Sequence, residues 1–407
     1  MKYIIDNEKN RWNESICSAS NHERGIMKEI TYRIYGLFFN LLKICPQRKK
    51  KVVLYMVHNS NFKDNLKCVY DEMKRRDPSY RFIIVSKKEL FYSKSKNRFV
   101  RLLKTISGTM YFYIALNYHF ATAEYILLND NFLPLAYMKL KKNTKLIQLW
   151  HGVGAFKKFG LSTERDPVVR KLVSTGNKQV DYLFVSSANN ISCYEEAMGV
   201  EKKHIFATGI PVTDFYFQKN LHKEARERVA HRYPGVKGKK TILYVPTFRK
   251  TMEENNEILK KFDSNQLSKE LGEEYVILIR MHPQIQPQAR DISKRCIDVT
   301  DYDDVKDLYI LSDVLITDYS SVVVEYTLLN KPSIFFAYDL EQYDRGFYDS
   351  YEEMVPGPIV KNNQELLQAI RSSSEGINTE KRDKFLSRHY DYLDGQSTKR
   401  VVDRILY

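Results

Sequence analysis

The chain has 407 residues, of which 43% are hydrophobic and 28% are charged, and it carries a formal net charge of +15. A chain of this length exceeds one typical core and suits two α/β domains, and its composition excludes a disordered protein. The positive charge is expected of a protein that meets nucleic acid, an anionic membrane or an anionic small substrate. Because the sequence shows no zinc knuckle, RNA-binding aromatic strand or basic zipper, we favour the last two.

The first 50 residues are predicted to form a helical, basic segment. Residues 1–24 are polar and mixed in charge, which does not indicate a signal peptide, and the sequence has no run of about 18 apolar residues that would span a membrane. Residues 34–44 are apolar, and the basic residues 48–51 follow them. Two interpretations are equally favoured: a helix that lies on an anionic membrane surface with a basic anchor, and a core helix whose end is solvated by lysines.

From residue 51 onward, short apolar runs alternate with helical patterns. Continuous apolar runs of this kind are typical of parallel strands that are buried on both faces. We predict a first series of strands at residues 52–57, 81–85, 125–128, 146–150, 182–185 and 205–208, with a helix at 66–76. The spacing of strand, helix and strand indicates βαβ units.

A charged stretch at residues 221–240 is predicted to link this series to a second one. The second series has strands at residues 241–245, 275–279, 314–316 and 333–336, and the tail of the chain has a helical pattern. We therefore predict an α/β protein with two doubly wound Rossmann-like domains that face each other across a cleft. The predicted boundaries are 51–220 for the first domain, 241–375 for the second and 376–407 for C-terminal helices.

Polar residues stand where the predicted strands end, which is where open parallel sheets bind ligands. His151 and Gly152 follow the strand at 146–150, and Lys157 lies a few residues later. A histidine titrates near neutral pH and suits a general base, a glycine lets the backbone approach a ligand, and a lysine can meet phosphate charge. The alternative is a histidine that only caps a strand, but the glycine-rich flank favours a functional role.

Two strands of the second series end in cationic or hydroxyl side chains. Arg280 and His282 follow one of them, and the guanidinium matches phosphate oxygens while the imidazole can donate to a bridging oxygen. Thr247 and Arg249 follow another. For each pair taken alone, the alternative is an ordinary surface loop.

The segment that most strongly indicates a ligand site contains Thr317, Asp318, Ser320, Ser321 and Glu325. Here a strand runs through a hydroxyl-rich turn into a helix, and the N-terminus of a helix holds phosphate well. The serines add hydroxyl donors, and Glu325 can accept hydrogen bonds from a ribose. The alternative is plain helix capping.

The sequence does not predict ATP chemistry or a metal centre. It contains no glycine-rich phosphate loop of the Walker type. The five cysteines are scattered without metal-ligand spacing, and the acidic residues 301–304 read as a solvated turn. We therefore predict a mechanism without a metal or a cofactor.

Together these segments resemble the CDP-glycerol glycerophosphotransferases that build wall teichoic acid, the teichoic-acid primase and polymerase family. The resemblance extends over residues 52–343, and as a set the segments are highly specific. They are WHG at 150–152, KKFG at 157–160, GIPVTD at 209–214, PTFR at 246–249, RMHP at 280–283, TDYSS at 317–321 with Glu325, and NKPSIFF at 330–336.

The resemblance implies a GT-B type fold and a peripheral membrane enzyme at the inner face of a bacterial cell membrane. Such an enzyme would transfer glycerol phosphate from CDP-glycerol to a lipid-linked teichoic-acid precursor and release CMP. The implied partners are CDP-glycerol or CDP-ribitol, an undecaprenyl-diphosphate-linked acceptor and an anionic membrane surface, without nucleic acid. The acceptor would lie on the 51–220 domain and the donor on the 241–375 domain.

The resemblance also implies roles for individual residues. His151 would be the base on the acceptor hydroxyl. Arg280 and His282 would hold the donor pyrophosphate, with Arg249 assisting. Ser320 and Ser321 would bind phosphate, and Glu325 would bind the cytidine ribose.

Within this family, the sequence favours a primase or early extender over a long-chain polymerase. The chain has little room for the large additional domain of long polymerases, and its loop at 152–156 reads GVGAF where polymerases carry a Thr-Pro pattern. The alternatives are a CDP-ribitol ribitolphosphotransferase and a nucleotide-sugar glycosyltransferase of the same fold that acts on a cell-envelope glycan. An inactive membrane-surface scaffold and a nucleic-acid binder are less favoured, because neither requires this set of polar residues.

Overall fold

The computed structural model describes residues 27–57, 62–93, 95–282 and 293–407. These residues form two sheets of six strands each, and every pair of neighbouring strands is parallel. Helices cover both faces of each sheet, as all-parallel sheets require. The predicted α/β class with two doubly wound domains facing across a cleft is confirmed. The part of the N-terminal segment before residue 27 lies outside the described residues.

The first sheet has the strand order β2-β1-β3-β4-β5-β6. Its strands are β1 (Lys51–Met56), β2 (Arg81–Ser86), β3 (Tyr125–Leu128), β4 (Lys145–Gln148), β5 (Tyr182–Val185) and β6 (Ile205–Ala207). The helices of this half are α1 (seen over residues 27–42), α2 (Asp64–Arg76), α3 (Lys87–Phe91), α4 (Arg98–Met110), α5 (Asn117–Ala121), α6 (Pro167–Asn177) and α7 (Ile191–Met198). A π-helical segment, Tyr111–Leu116, joins α4 to α5.

The second sheet has the order β12-β11-β10-β7-β8-β9. Its strands are β7 (Lys240–Val245), β8 (Tyr275–Ile279), β9 (Cys296–Asp298), β10 (Val314–Thr317), β11 (Ser333–Phe336) and β12 (Ile359–Val360). The helices that follow the first domain are α8 (Lys219–Arg232), α9 (Met252–Lys261), α10 (Ser264–Leu271), α11 (Val305–Leu311), α12 (Val322–Tyr326), α13 (Tyr351–Met354), α14 (Asn363–Ser372), α15 (Thr379–His389) and α16 (Ser397–Leu406).

All ten predicted strands are present, with ends that differ by at most two residues. The two short edge strands β9 and β12 were not predicted. Residues 221–240, which the sequence suggested as a linker, carry most of α8, and its buried Ala225 and Val229 belong to an apolar cluster with Leu308 of α11.

Helix α1 presents one face to the core and another to solvent. Tyr35 and Phe39 are fully buried, whereas Leu37 and Leu41 are 60% and 61% exposed. The apolar run at 34–44 therefore packs against the core with part of its length, as the second interpretation predicts, and exposes the rest to solvent; its contact with a membrane stays a prediction. None of the helices that the structure describes combines the length and apolar character needed to cross a membrane.

The chain crosses between the two domains twice. It leaves the first domain through a 3-10 segment, Pro211–Phe217, and it returns after α15. The last helix, α16, then packs Val401 and Ile405 into the apolar core of the first domain, beside Leu66 of α2.

The two crossings lie side by side and are tied together by Asp214. Its carboxylate accepts hydrogen bonds from the backbone N–H groups of Ser397 and Thr398, both at 2.8 Å, and so caps α16 from a distant part of the chain. Gly209 approaches Ser397 so closely that a side-chain carbon there would lie 2.3 Å from the serine hydroxyl.

Candidate active site

The chain turns sharply where β4 ends, and this turn places His151 in the cleft. Trp150 adopts a left-handed backbone conformation (φ +52°), which costs a bulky residue about 1–2 kcal/mol. The ring of His151 lies against the Trp150 indole, with 4.2 Å between the ring centroids, and 53% of the His151 side chain is exposed. The strained turn thus holds an accessible imidazole at the carboxyl edge of the first sheet.

One nitrogen of His151 is occupied by the loop that follows β3. Nδ1 lies 3.3 Å from the carbonyl oxygen of Asn129 and 3.5 Å from a carboxylate oxygen of Asp130. A proton on Nδ1 would be donated to these oxygens, which leaves the lone pair of Nε2 to accept a proton from a substrate. Sequence reasoning missed Asp130, although it follows a strand end as His151 does.

The glycines after His151 allow the loop to pack against the second domain. The hydroxyl of Tyr194 donates to the carbonyl oxygens of Gly152 and Gly154, at 3.3 and 3.0 Å. Gly154 has φ +67°, and a side-chain carbon there would lie 2.8 Å from Nδ1 of His389 and 3.0 Å from Val324. Only glycine fits this position without displacing the second domain.

Lys157 is placed at the contact between the two domains. Its backbone forms an antiparallel bridge with Phe347, and the N–H of the next residue donates to the Gly346 carbonyl at 3.1 Å. Burial, and to a lesser degree the charge of the neighbouring Arg345, lower the pKa of Lys157 to about 8. Removing a lysine from water beside another cation is costly, and an anion would relieve that cost.

His282 lies in the same cationic region. Its ring contacts Phe248, with 4.4 Å between centroids. Burial lowers the pKa of His282, and the positive charges of Lys157 and Arg345 lower it further. Three cationic or potentially cationic groups from three loops therefore converge, as an anion-binding site requires. Pro283, which completes the RMHP motif, lies outside the described residues.

Arg249 is engaged by two carboxylates of its own domain. Its guanidinium donates to Asp339 at 2.7 and 3.0 Å and to Asp318 at 2.9 Å, and the side chain is only 9% exposed. Although burial opposes its charge, the hydrogen bonds of Asp339 and the charge of Asp318 raise the pKa of Arg249. Asp318 also accepts a hydrogen bond from the N–H of Thr247 at 2.8 Å. This network fixes the loops after β7 and β10 relative to each other.

The hydroxyl of Thr247 is the polar group of this network that lacks a partner. It is buried and makes no hydrogen bond with any part of the chain that the structure describes. Buried hydroxyls are normally satisfied, so this one is available to a ligand.

Arg280 and Thr317 bond to the backbone. Arg280 donates to the carbonyl oxygens of Tyr302 and Val299, at 2.6 and 3.2 Å, and burial lowers its pKa. The hydroxyl of Thr317 donates to the carbonyl of Val245 at 2.7 Å. Both side chains therefore shape the strand ends that border the cleft.

The short helix α12 begins directly after Ser320 and Ser321, and Glu325 lies within it. Glu325 accepts a hydrogen bond from the Tyr216 hydroxyl at 2.7 Å, and burial raises its pKa. The nearby ammonium of Lys306 lies 3.2 Å from Asp64 of the first domain and thereby connects the domains beside Glu325.

A cavity of about 610 Å³ opens on the cleft beside the cationic region. Thr247, Arg249 and Arg345 line it from the second domain, and the loop at 162–165 lines it from the first. Its volume falls within the range of about 300–1,000 Å³ typical of small-molecule sites. Within the described residues, no group of three or more His, Cys, Asp or Glu side chains is arranged to hold a metal.

Known proteins are similar to this chain in sequence and in fold. Residues 37–407 match the family model described as CDP-glycerol:poly(glycerophosphate) glycerophosphotransferase. The chain is 34% identical over 388 residues to the teichoic acid poly(ribitol-phosphate) polymerase of Bacillus spizizenii, and the match covers 94% of this chain but only 60% of that protein. It is also 34% identical over 389 residues to the teichoic acid ribitol-phosphate primase of the same species, covering 93% of this chain and 97% of the primase.

A solved structure of the wall teichoic acid polymerase TagF superposes with a TM-score of 0.73 and 27% identity, covering 96% of this chain and 97% of that one. The superposition agrees with the two-sheet α/β fold described above. The chain therefore belongs to the CDP-glycerol:poly(glycerophosphate) glycerophosphotransferase family, which includes teichoic acid primases and polymerases, and it is an enzyme of that phosphotransferase class.

Proposed function

We propose that the enzyme transfers a polyol phosphate from a CDP-activated donor to a hydroxyl of a lipid-linked acceptor. The observation that carries this proposal is that His151 and the cationic region around Lys157 and His282 border the same cleft. The Nδ1 atom of His151 is engaged by the protein, and its Nε2 atom is open. His151 provides a base for an alcohol, and the cationic region provides counter-charge for a diphosphate.

The reaction follows from this arrangement. The acceptor oxygen attacks the phosphorus on the polyol side of the donor, and His151 takes the proton of the attacking hydroxyl. The bond from that phosphorus to the bridging oxygen breaks, and CMP leaves with the electron pair. Lys157 and Arg345 offset the negative charge on the departing phosphate, the imidazole of His282 donates a hydrogen bond to it, and Thr247 supplies a hydroxyl to the same region. Positioning and charge stabilisation supply most of the catalysis in phosphoryl transfer.

The remaining predicted residues have two kinds of role in this proposal: some bind the donor, and others position the loops of the site. Ser320 and Ser321 bind donor phosphate at the start of α12, and Glu325 binds the ribose. Arg249, Arg280 and Asp318 instead position the loops that carry those groups, because their own polar atoms are already bonded to the protein. Asp130 joins His151 as a positioning residue.

The donor that we propose is CDP-glycerol, used by a primase or early extender, because the family model that matches is described by CDP-glycerol. CDP-ribitol is the second candidate, since both relatives named above act on ribitol phosphate according to their names.

We further propose that the enzyme works at the inner surface of the membrane. Exposed apolar side chains lie on α1 and α4, among them Leu37 and Leu41 on the first and Phe99 and Leu103 on the second. We call these four residues the apolar face. Packing of Tyr35 against Phe112, at 4.6 Å between centroids, joins α1 to the continuation of α4. Basic residues lie close to the apolar face along the chain, which is the composition of an interfacial anchor; they include Lys43, Arg48, Lys49, Arg98, Arg101 and Lys104.

The test is CMP release by the purified protein. CDP-glycerol and CDP-ribitol are supplied separately, each with a short-tailed disaccharide-diphosphate-lipid acceptor, with the same acceptor carrying one glycerol phosphate, and with no acceptor. We expect acceptor-dependent release from one donor, and a loss of about 10²–10⁴-fold in His151→Ala. His231→Ala, which removes an exposed histidine of α8, is the matched control and should keep the wild-type rate.

The proposal is wrong if neither donor releases CMP, or if His151→Ala releases it as fast as the control. Consumption of a nucleotide sugar under the same conditions would indicate the glycosyltransferase alternative.

A further inference from the structure

A second cavity, of about 340 Å³, lies at the carboxyl edge of the first sheet. Asp130, which contacts His151, forms part of its wall. Tyr55 of β1 and Phe132 line it from the sheet, and Tyr32 of α1 and Phe112 of the π-helical segment line it from the outside. The cavity therefore begins beside the proposed base and extends toward the two helices that carry the apolar face.

Tyr55 presents a polar atom that the described protein leaves unsatisfied. The residue is 1% exposed, and its hydroxyl makes no hydrogen bond with any described residue. A buried hydroxyl without a partner costs about 1–3 kcal/mol. A ligand in the cavity that carries hydroxyl groups would remove this cost.

The charges on the cavity wall disfavour an anion. Asp130 and Glu164 contribute two carboxylates and Lys87 contributes one ammonium, so the formal charge of the wall is −1. The other cleft cavity has four cations on its wall, Arg165, Arg249, Lys250 and Arg345, and four carboxylates, Glu164, Glu254, Asp339 and Asp344, so its formal charge is zero. The cavity beside Tyr55 is therefore the more negative of the two, and a neutral group that carries hydroxyls suits it better than a phosphate does.

The aromatic residues favour a sugar ring over a flexible chain. Tyr32, Tyr55, Phe112 and Phe132 offer apolar ring surfaces, and the carboxylates accept hydrogen bonds from hydroxyl groups. A saccharide presents an apolar face of C–H bonds together with a rim of hydroxyl groups, which matches both features. Small-molecule sites with mostly apolar walls and a few polar groups usually bind in this way.

We propose that this cavity binds the neutral saccharide of the lipid-linked acceptor and presents one of its hydroxyls to His151. The identification of the saccharide as the acceptor rests on the proposed function. Glu164 lines both cavities, so the acceptor and the donor would meet across the loop at 160–165. The lipid would extend past Tyr32 and Phe112 to the apolar face.

Two tyrosines provide a matched test. Tyr55→Phe removes the unpaired hydroxyl in the cavity. Tyr35→Phe removes a hydroxyl that is equally buried and equally without a partner among the described residues, but Tyr35 does not line the cavity. Both changes delete an unsatisfied group, so both variants should fold, with an unfolding midpoint equal to or above that of the wild type.

We expect Tyr55→Phe to raise the KM for the acceptor about fivefold to twentyfold while the KM for the CDP donor stays unchanged, and Tyr35→Phe to change neither. In parallel, binding of the disaccharide headgroup alone, freed of lipid and diphosphate, is measured by calorimetry, with oligo(glycerol phosphate) as the anionic comparison. The headgroup should bind the wild type and Tyr35→Phe more tightly than Tyr55→Phe.

The two measurements separate this proposal from the proposed function. Turnover by all three proteins with equal acceptor KM and equal headgroup binding would overturn the cavity assignment and leave the transferase intact. Headgroup binding that depends on Tyr55, without CMP release from either donor, would support the cavity and contradict the reaction. Tighter binding of the anionic oligomer, lost in Tyr55→Phe, would also overturn the assignment of a neutral saccharide.

Discussion

Raising the pH through 8 is expected to weaken binding of the CDP donor, because Lys157 loses its proton there. The pKa of Lys157 is lowered to about 8, first by burial and then by the neighbouring cation Arg345. Below that pH the ammonium is charged and attracts the diphosphate, and above it the neutral amine does not. The pKa of His282 is lowered from its ordinary value near 6.5, so that imidazole stays neutral above pH 7 and does not contribute to the change.

The size of the effect follows from one titrating group. With a pKa of about 8, roughly nine-tenths of Lys157 is charged at pH 7 and about one-tenth at pH 9, so the Kd for the donor should rise about tenfold over this interval. The rise should level off at about 10- to 100-fold, since a hydrogen bond to a charged group is worth about 1.5–3 kcal/mol.

The assay is equilibrium dialysis of CDP-glycerol and of CDP-ribitol between pH 7 and 9.5, without acceptor, so that the base His151 plays no part. Lys157→Arg should bind with a Kd that stays constant across this range, because arginine remains charged. Lys158→Arg, one position along the same loop, should keep the wild-type dependence. A wild-type Kd that does not change with pH, or a change that persists in Lys157→Arg, would refute the reasoning.

Three further outcomes are expected. Arg249→Met should lower the free energy of unfolding, measured in urea, by about 3–5 kcal/mol, because Asp318 and Asp339 would lose their counter-charge. Unchanged stability with lost activity would indicate instead that Arg249 contacts the substrate directly. Burial lowers the pKa of His389 to about 3, so below pH 6.5 the unfolded chain binds a proton that the folded chain does not, and the wild type loses about 1.4 kcal/mol of stability per pH unit between pH 6 and 4. His389→Gln should lack this loss, and an equal pH dependence of stability in the two proteins would contradict the assignment. The double variant Leu37→Glu/Leu41→Glu should no longer sediment with anionic vesicles but should keep its turnover on detergent-solubilised acceptor. The control Met252→Glu, at an equally exposed apolar position of α9, should still sediment with the vesicles. Vesicle binding by the double variant would exclude α1 from the membrane contact.

Eight of the ten predicted strands lie in the interior of a parallel sheet, and the edge strands β2 and β6 are recognisable by their apolar runs. All six residues of β1 are buried, so its apolar run stands out against the charged residues around it. The strands that were missed lie at sheet edges: β9 is only partly buried, and β12 has two residues. Such short edges take their conformation from the neighbouring strand, and this contact cannot be seen in a local pattern.

The members of the site were predictable from strand ends, but their partners were not. Asp339 lies 90 positions after Arg249, and no local signal indicates that these two side chains meet. The resemblance gave Arg249 an assisting role, and this contact is the reason that we propose a loop-positioning role for it. Asp130 could have been found by the rule that found His151, since it also follows a strand, had the end of β3 been examined for polar residues in the same way.

The chain passes between the domains through two neighbouring segments, and the hydrogen bonds of Asp214 hold these segments together. This double connection limits how the domains can move relative to each other. Two bodies joined at one point can swivel freely, whereas two bodies joined along a short line can turn only about that line. Any rotation of one domain relative to the other would therefore be restricted to an axis near Pro211–Phe217 and the start of α16. The loop at Lys157 meets Phe347 across the cleft, so such a rotation would change the distance between the base on the first domain and the cationic groups on the second.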